Sequence, residues 1–194
     1  MSLIGIIPAR GGSKGIPRKN LKNFYGKPLI AWTIEVAKKV SLIDRLIVST
    51  DDDEIAAVAQ NYGAEIPFMR PNEMSQDKTP GIIPVLDILK RIPGYNEVLI
   101  LQPTSPLRTA SDIKNIIQIG KSKKASAVVS VTEAEKHPYW SFRLNKSSHL
   151  IPWVKANLNI QRQELPSAYC LNGALYWGET DWVIKNETFV TSET

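Results

Sequence analysis

The sequence has one cysteine, Cys170, which excludes an intramolecular disulfide and any cysteine-cluster metal centre. A reducing compartment is the matching expectation. Its two histidines, His137 and His149, stand apart in a segment of mixed composition with no metal-ligand spacing. No apolar run approaches the roughly 18 residues a membrane span requires, and no charged amino-terminal segment leads into a long apolar core. Neither a membrane span nor a signal peptide is expected, and the location predicted is the cytoplasm. The two commonest nucleotide signatures are also missing. There is no G-x-x-x-x-G-K-[ST] loop and no G-x-G-x-x-G opening a long helix. The net charge of +5 comes from cations spread along the chain without interleaved aromatics, which argues against nucleic acid and for a small polyanion. The densest basic tract, Lys121-Ser122-Lys123-Lys124, reads as a solvated helix end.

What is present is a chain of 194 residues, 43% apolar and 22% charged, enough for one domain with a sizeable core. Short apolar runs alternate with helical patterns. Leu3 to Pro8, Leu46 to Val48, Ile66 to Met69, Val98 to Leu101 and Ala127 to Val131 read as strands. Leu29 to Val40, a segment from Asp53 closed by Gly63, one through Leu86 and Leu89, and one opened by Ser111-Asp112 read as helices. Strand alternating with helix predicts an α/β fold, a mostly parallel sheet with helices on both faces. The pattern breaks after Thr132. Residues 133–166 mix aromatics, prolines and polar residues, so the domain spanning 1–194 is predicted to carry an inserted arm or lid there. Ala174 to Trp177 returns as a strand, and Asp181 to Lys185 as a short helix.

The most informative stretch is Ile6-Ile7-Pro8-Ala9-Arg10-Gly11-Gly12-Ser13-Lys14-Gly15-Ile16-Pro17-Arg18-Lys19-Asn20. An apolar strand runs into a loop carrying three glycines and four cations. Glycines let backbone N–H groups converge on an anion, and ligands of open α/β sheets bind at the carboxyl ends of the strands. A nucleoside triphosphate is the natural ligand, although composition alone equally permits a solvated basic turn.

That string resembles the amino-terminal motif of the acylneuraminate cytidylyltransferases, the CMP-sialic acid synthetases. Further points are similar to the same family: Val48-Ser49-Thr50-Asp51, Arg70-Pro71, Leu101-Gln102-Pro103-Thr104-Ser105-Pro106-Leu107-Arg108, Arg162-Gln163 through Leu165-Pro166, and Asn172-Gly173-Ala174. The resemblance implies a Rossmann-like nucleotidyltransferase sheet working as a homodimer. It implies a reaction in which CTP and a nine-carbon 2-keto acid sugar give the CMP-sugar and pyrophosphate. By resemblance Arg10 and Lys19 flank the triphosphate, Gly11, Gly12, Ser13 and Lys14 cradle it, and Asn20 and Arg70 contact the nucleotide. Gln102 faces the acceptor sugar, and Arg10, Lys19 and Gln102 form the catalytic set. Arg162 is expected to take the acceptor's carboxylate, with Asn172 and His137 beside the sugar. Tyr169 and Trp140 are candidates for apolar walls.

Read without the family, Arg70 is a surface residue, Gln102 a cap of its own Pro-Thr-Ser-Pro turn, Arg108 one half of a structural ion pair, and Cys170 a buried or pocket-lining thiol. Some sialic acid enzymes have arginine where this chain has Cys170 and lysine where it has Trp140. A related nonulosonic acid such as legionaminic acid is therefore a candidate substrate. The family also implies Mg²⁺ held by a late Asp-x-Asp motif expected beyond the point where this chain stops, so the metal ligands are unassigned. Asp51 and Asp52 read as helix caps, with Asp77 in a loop, and the expectation is a carboxyl-terminally truncated chain with impaired turnover. Two alternatives stay open: a CMP-Kdo-type synthetase, and a CTP-binding module without catalysis.

Overall fold

A computed structural model describes residues 2–155 and 161–194, without the side chain of Arg162. In chain order the elements are β1 (Leu3–Pro8), β2 (Asn23–Phe24), β3 (Lys27–Pro28), α1 (Leu29–Lys38), β4 (Arg45–Ser49), α2 (Asp53–Asn61), α3 (Ile83–Arg91), β5 (Glu97–Leu101), α4 (Ala110–Lys123), β6 (Ala127–Glu133), β7 (Phe142–Leu144), β8 (Leu150–Pro152), β9 (Tyr169–Glu179) and α5 (Thr180–Asn186). The chain divides into two compact units, residues 1–130 with 173–194, and residues 131–172.

The larger unit is built on a sheet of order β4-β1-β5-β9-β6. Side chains alternate across a strand, and in β1 and β5 both faces are apolar. Leu3, Ile7, Leu99 and Leu101 pack with Ile30 and Ile34 of α1, Ile55 of α2 and Ile113 and Ile117 of α4. Ile4, Ile6, Val98 and Ile100 pack on the other face with Val85 and Ile88 of α3 and Val183 of α5. A strand buried on both sides has to be apolar throughout, which is why the runs Leu3 to Pro8 and Val98 to Leu101 are continuous rather than alternating.

β1 pairs in parallel with β4 and with β5, in a register that sets Pro8 beside Ser49 and Ile6 beside Ile100. The carboxyl ends of three strands therefore meet along one edge. One expectation needs correction. Ile66 to Met69 is not a strand; Glu65 alone bridges Ile47, and Pro67, lacking an N–H, prevents the ladder from continuing. The sheet is mostly parallel at its core, as expected, and β9 is the strand that runs antiparallel to β5, with Leu101 opposite Leu175. A chain returning without a crossover helix has no need to re-enter in parallel.

Local chemistry explains the helix starts. Asp52 caps α2, accepting from the amides of Glu54 and Ile55, as its sequence predicts. α4 begins earlier than the Ser111-Asp112 reading: Thr109 is the cap, and its hydroxyl and Asp112 exchange bonds in a capping box. At the other end of α4 Lys121 is not simply solvated, since it pairs at 3.3 Å with buried Glu97 of β5. In the smaller unit β7 and β8 form an antiparallel hairpin. Cys170 is exposed there, contrary to the buried reading. It lies in the part of β9, Tyr169 to Asn172, where every residue is exposed.

Candidate active site

The loop after β1 is pinned near both ends by the turn after β4. The Gly11 amide donates to Asp51 Oδ1 at 3.0 Å, and Arg18 pairs with Asp52 and Glu54. Gly11 has to be glycine, because a Cβ there would lie 2.5 Å from Asp52 Oδ2. Arg18 adopts a left-handed conformation, φ 54°, immediately before the single-turn helix Lys19–Leu21. Asn20 is buried, and its Nδ2 donates to the Arg10 carbonyl at 3.1 Å. The amide thus holds together the two ends of the loop it follows. Burial works to raise the Asp52 carboxyl, but the Ile55 amide, Arg18 and the Glu54 amide together hold it below the ordinary carboxylate range.

Pinning divides the four loop cations. Arg18 is spent on Asp52 and Glu54, which corrects the reading of it as a ligand cation. Arg10, Lys14 and Lys19 line a cavity of about 760 Å³, with Ser13, Gly15, Asn20, Arg70 and Gln102 also in its wall. Gly11 and Gly12 are not among the lining residues; Gly11 acts by its close approach to Asp52.

Arg70 reaches the cavity from the chain following α2. It is buried, its Nε donates to Ser49 Oγ at 3.0 Å, and its Nη2 bonds the Ser49 carbonyl. It is therefore not the surface residue that it resembles in isolation. Burial pushes its guanidinium below the ordinary arginine value, with Asp51 acting against that shift. Gln102 follows β5 directly. A Cβ at Gly173, which has φ 73°, would lie 3.3 Å from Gln102 Oε1. The absent side chain leaves room for the amide.

Sequence reasoning missed several features. Asp77 pairs with Arg10 at 3.1 Å and with Lys14, and Arg10 Nη1 also reaches the Ser75 carbonyl at 3.4 Å. Tyr176 and the segment Glu187 to Val190 complete the cavity wall. Nothing in their local pattern marks them, because they arrive from elements distant in sequence. Arg108 was expected in an ion pair. Instead its guanidinium is buried and donates to the carbonyls of Ala174 (2.8 Å), Gln102 (2.8 Å) and Ser105 (3.4 Å) and to Thr33 Oγ1 (3.2 Å). Burial pushes it down to about 10.

The residues expected beside the sugar lie in the smaller unit. His137 Nδ1 accepts from the Tyr139 amide at 3.2 Å, which leaves Nε2 to carry the proton and donate to the Pro166 carbonyl at 3.0 Å. Its ring meets Tyr139 and Trp140 edge to face. Arg162 begins a single helical turn, Arg162–Glu164, and its side chain lies outside the described residues. Asn172 is exposed, at the last position of the unit.

Among the described residues no three His, Cys, Asp or Glu side chains group as a metal site would require. The carboxylates nearest the loop are engaged otherwise: Asp51 by the Gly11 amide, Asp52 by Arg18, Asp77 by Arg10 and Lys14. They do not fit a cage for a divalent cation. What the cavity offers is four cationic side chains, Arg10, Lys14, Lys19 and Arg70, against the carboxylates of Asp77 and Glu187. That excess suits a polyanion.

Comparison with known proteins agrees. Residues 4–176 match the family model described as "Cytidylyltransferase". Over its whole length the chain is 37% identical to CMP-N,N'-diacetyllegionaminic acid synthase of Legionella pneumophila, covering 85% of that protein. Over 98% of its length it is 34% identical to pseudaminic acid cytidylyltransferase of Campylobacter jejuni, covering 86%. It is 35% identical to N-acylneuraminate cytidylyltransferase of Streptococcus agalactiae, of which it covers 47%. Among solved structures, a CMP:2-keto-3-deoxy-manno-octonic acid synthetase complexed with CTP superposes with a TM-score of 0.73 over 96% of this chain and 77% of that one, at 21% identity. That likeness shows the nucleotidyltransferase fold. With a family match over residues 4–176 and relatives more than 30% identical that are covered to 85% and 86% of their lengths, the chain belongs to the cytidylyltransferase family of nucleotidyltransferases.

Proposed function

We propose that this protein joins CTP to a nine-carbon 2-keto acid sugar, of the sialic, legionaminic or pseudaminic type, releasing pyrophosphate. The observation that carries this reading is the convergence of Arg10, Lys14 and Lys19 with Gln102 in one cavity, in a chain whose full-length relatives are named for such sugars. The acceptor's anomeric hydroxyl attacks the α-phosphorus of CTP; the new P–O bond forms as the bond to the β-phosphate oxygen breaks. The hydroxyl proton passes to solvent, and the electron pair leaves with pyrophosphate. Cations lining the cavity stabilise the charge that develops on the leaving group. Arg10 and Lys19 take that role, with Lys14, Ser13 and Asn20 holding the nucleotide and Arg70 fixing its far end. Gln102 positions the acceptor.

Arg162, Asn172 and His137 are assigned to the acceptor on chemical grounds. A carboxylate calls for a planar cationic fork, which arginine supplies. A divalent cation such as Mg²⁺ belongs in the reaction as the nucleotide's counter-ion, since the described carboxylates are otherwise engaged. The protein acts in the cytoplasm as a homodimer. The exposed apolar side chains of the smaller unit, among them Leu144, Leu150, Trp153 and Leu171, support the second of these points, and the single cysteine supports the first.

The test is pyrophosphate release from CTP and Mg²⁺ with N-acetylneuraminic, legionaminic, pseudaminic and Kdo acids. Release with one of the nine-carbon acids is expected. Release with Kdo alone would move the reading to the eight-carbon branch, and CTP binding with no release from any acid would leave a non-catalytic module.

A further inference from the structure

Arg108 is a buried charged group that makes no direct ion pair among the described residues, although Asp112 acts on it electrostatically from further off. It is 8% exposed; among the described residues its Nη1 and Nη2 reach only backbone carbonyls and a threonine hydroxyl, and its Nε, also buried, has no partner there. Burying a guanidinium this way costs free energy that an apolar side chain of similar size would not. The groups it holds account for it. Gln102 and Ser105 lie in the turn leaving β5, Ala174 lies in β9, and Thr33 lies in α1. One side chain therefore ties the residue that follows a buried strand to the neighbouring strand and to the helix covering both. The Gln102 carbonyl is among the closest acceptors, at 2.8 Å. Ala174 directly follows Gly173, the residue whose missing Cβ leaves space for the Gln102 amide.

We propose that Arg108 is a positioning residue for the acceptor step: by fixing the Gln102 carbonyl against β9 and α1, it sets the direction in which the Gln102 side chain enters the cavity. This rests on the role assigned above to Gln102. Arginine suits the task because a planar fork can bond several carbonyls at once in fixed directions. Lysine, a point charge with rotatable donors, cannot hold all of them. A misplaced positioning group typically costs about a hundredfold in rate, and the loss falls on the acceptor because the phosphate loop has its own anchors in Asp51, Asp52 and Asn20.

The experiment is a double-mutant cycle on the full chain. Arg108→Lys, Gln102→Ala and the double variant are compared by steady-state kinetics in CTP and in the acceptor acid that supports turnover. CTP binding is measured separately by calorimetry. Arg108→Lys is expected to lower kcat/KM for the acceptor about ten- to a hundredfold, with CTP affinity within twofold of wild type. In the Gln102→Ala background the same substitution is expected to have little further effect, since the group it positions is gone. An equal loss in both backgrounds would make Arg108 purely structural and overturn the proposal. A Gln102→Ala variant with wild-type acceptor kinetics would instead remove Gln102 from the acceptor site and sink both readings. Should Arg108→Lys fail to bind CTP or fold, Thr33→Val serves in the same cycle, removing one partner of the guanidinium while keeping the charge. It is expected to lower acceptor kcat/KM only where Gln102 is present, and equal effects in both backgrounds would again overturn the proposal.

Discussion

Asp52 occupies the space that any side chain at position 11 would need: a Cβ on Gly11 would lie 2.5 Å from its Oδ2 and 2.9 Å from its Cβ. The same carboxylate caps α2 and receives Arg18. The turn after β4 thus serves as the anchor of the phosphate loop. Gly11→Ala is expected to push the loop off this anchor, weakening CTP binding about fivefold or more, as over-packing of about 1–3 kcal/mol implies. Calorimetric titration with CTP checks it; an unchanged affinity would show that the loop adapts at no cost.

Arg10→Ala is expected to lower turnover more than it weakens acceptor binding, because the charge it supplies matters most as pyrophosphate departs. The kinetic signature is a fall in kcat of about a hundredfold with acceptor KM close to wild type. Wild-type kcat would place Arg10 outside the reacting site.

Asp77 neutralises two of the cations assigned to the nucleotide, Arg10 and Lys14. Lys14 first, and Arg10 with it, holds its carboxyl below the usual range. A triphosphate has to compete with this carboxylate, so Asp77→Asn is expected to tighten CTP binding. Exposed ion pairs contribute little because solvent screens them, so the gain is expected to be at most about fivefold, largest at low ionic strength. Weaker binding in the variant would mean that Asp77 contributes to the bound state.

Asp52 also gives the fold an acid limit. Its folded carboxyl is held below the ordinary value, so its contribution is complete above the unfolded pKa of about 3.9 and is lost as pH falls through the lower folded value. Asp112, held down by the amide and hydroxyl of Thr109, follows the same rule. Asp52→Asn keeps a capping oxygen but loses the negative charge that pairs with Arg18. It is expected to melt about 2–4 °C below wild type at pH 7, with the gap closing as pH drops below about 4. A gap independent of pH would assign the loss to packing.

The sequence by itself determined the class of the fold and the composition of the loop. Short continuous apolar runs fit strands buried on both faces, and Leu3 to Pro8 and Val98 to Leu101 are such strands. Helical spacing marked α1, and Asp52 with Gly63 marked the limits of α2, because capping and positive φ are local requirements. Gly11 to Gly15 with their cations announced an anion loop for the same reason. Tertiary structure alone decided which cation does what. Arg10 and Arg18 are the same residue type in one loop, yet Arg18 faces Asp52 and Glu54 while Arg10 lines the cavity. Asp77 and Arg108 illustrate the same limit. The first meets a loop more than sixty residues away, and the second is bonded by carbonyls of β9 and the β5 turn that carry no residue-specific signal. Local sequence encodes propensity and capping, whose partners lie within a few residues; the pairing of charges depends on which strand ends the sheet brings together.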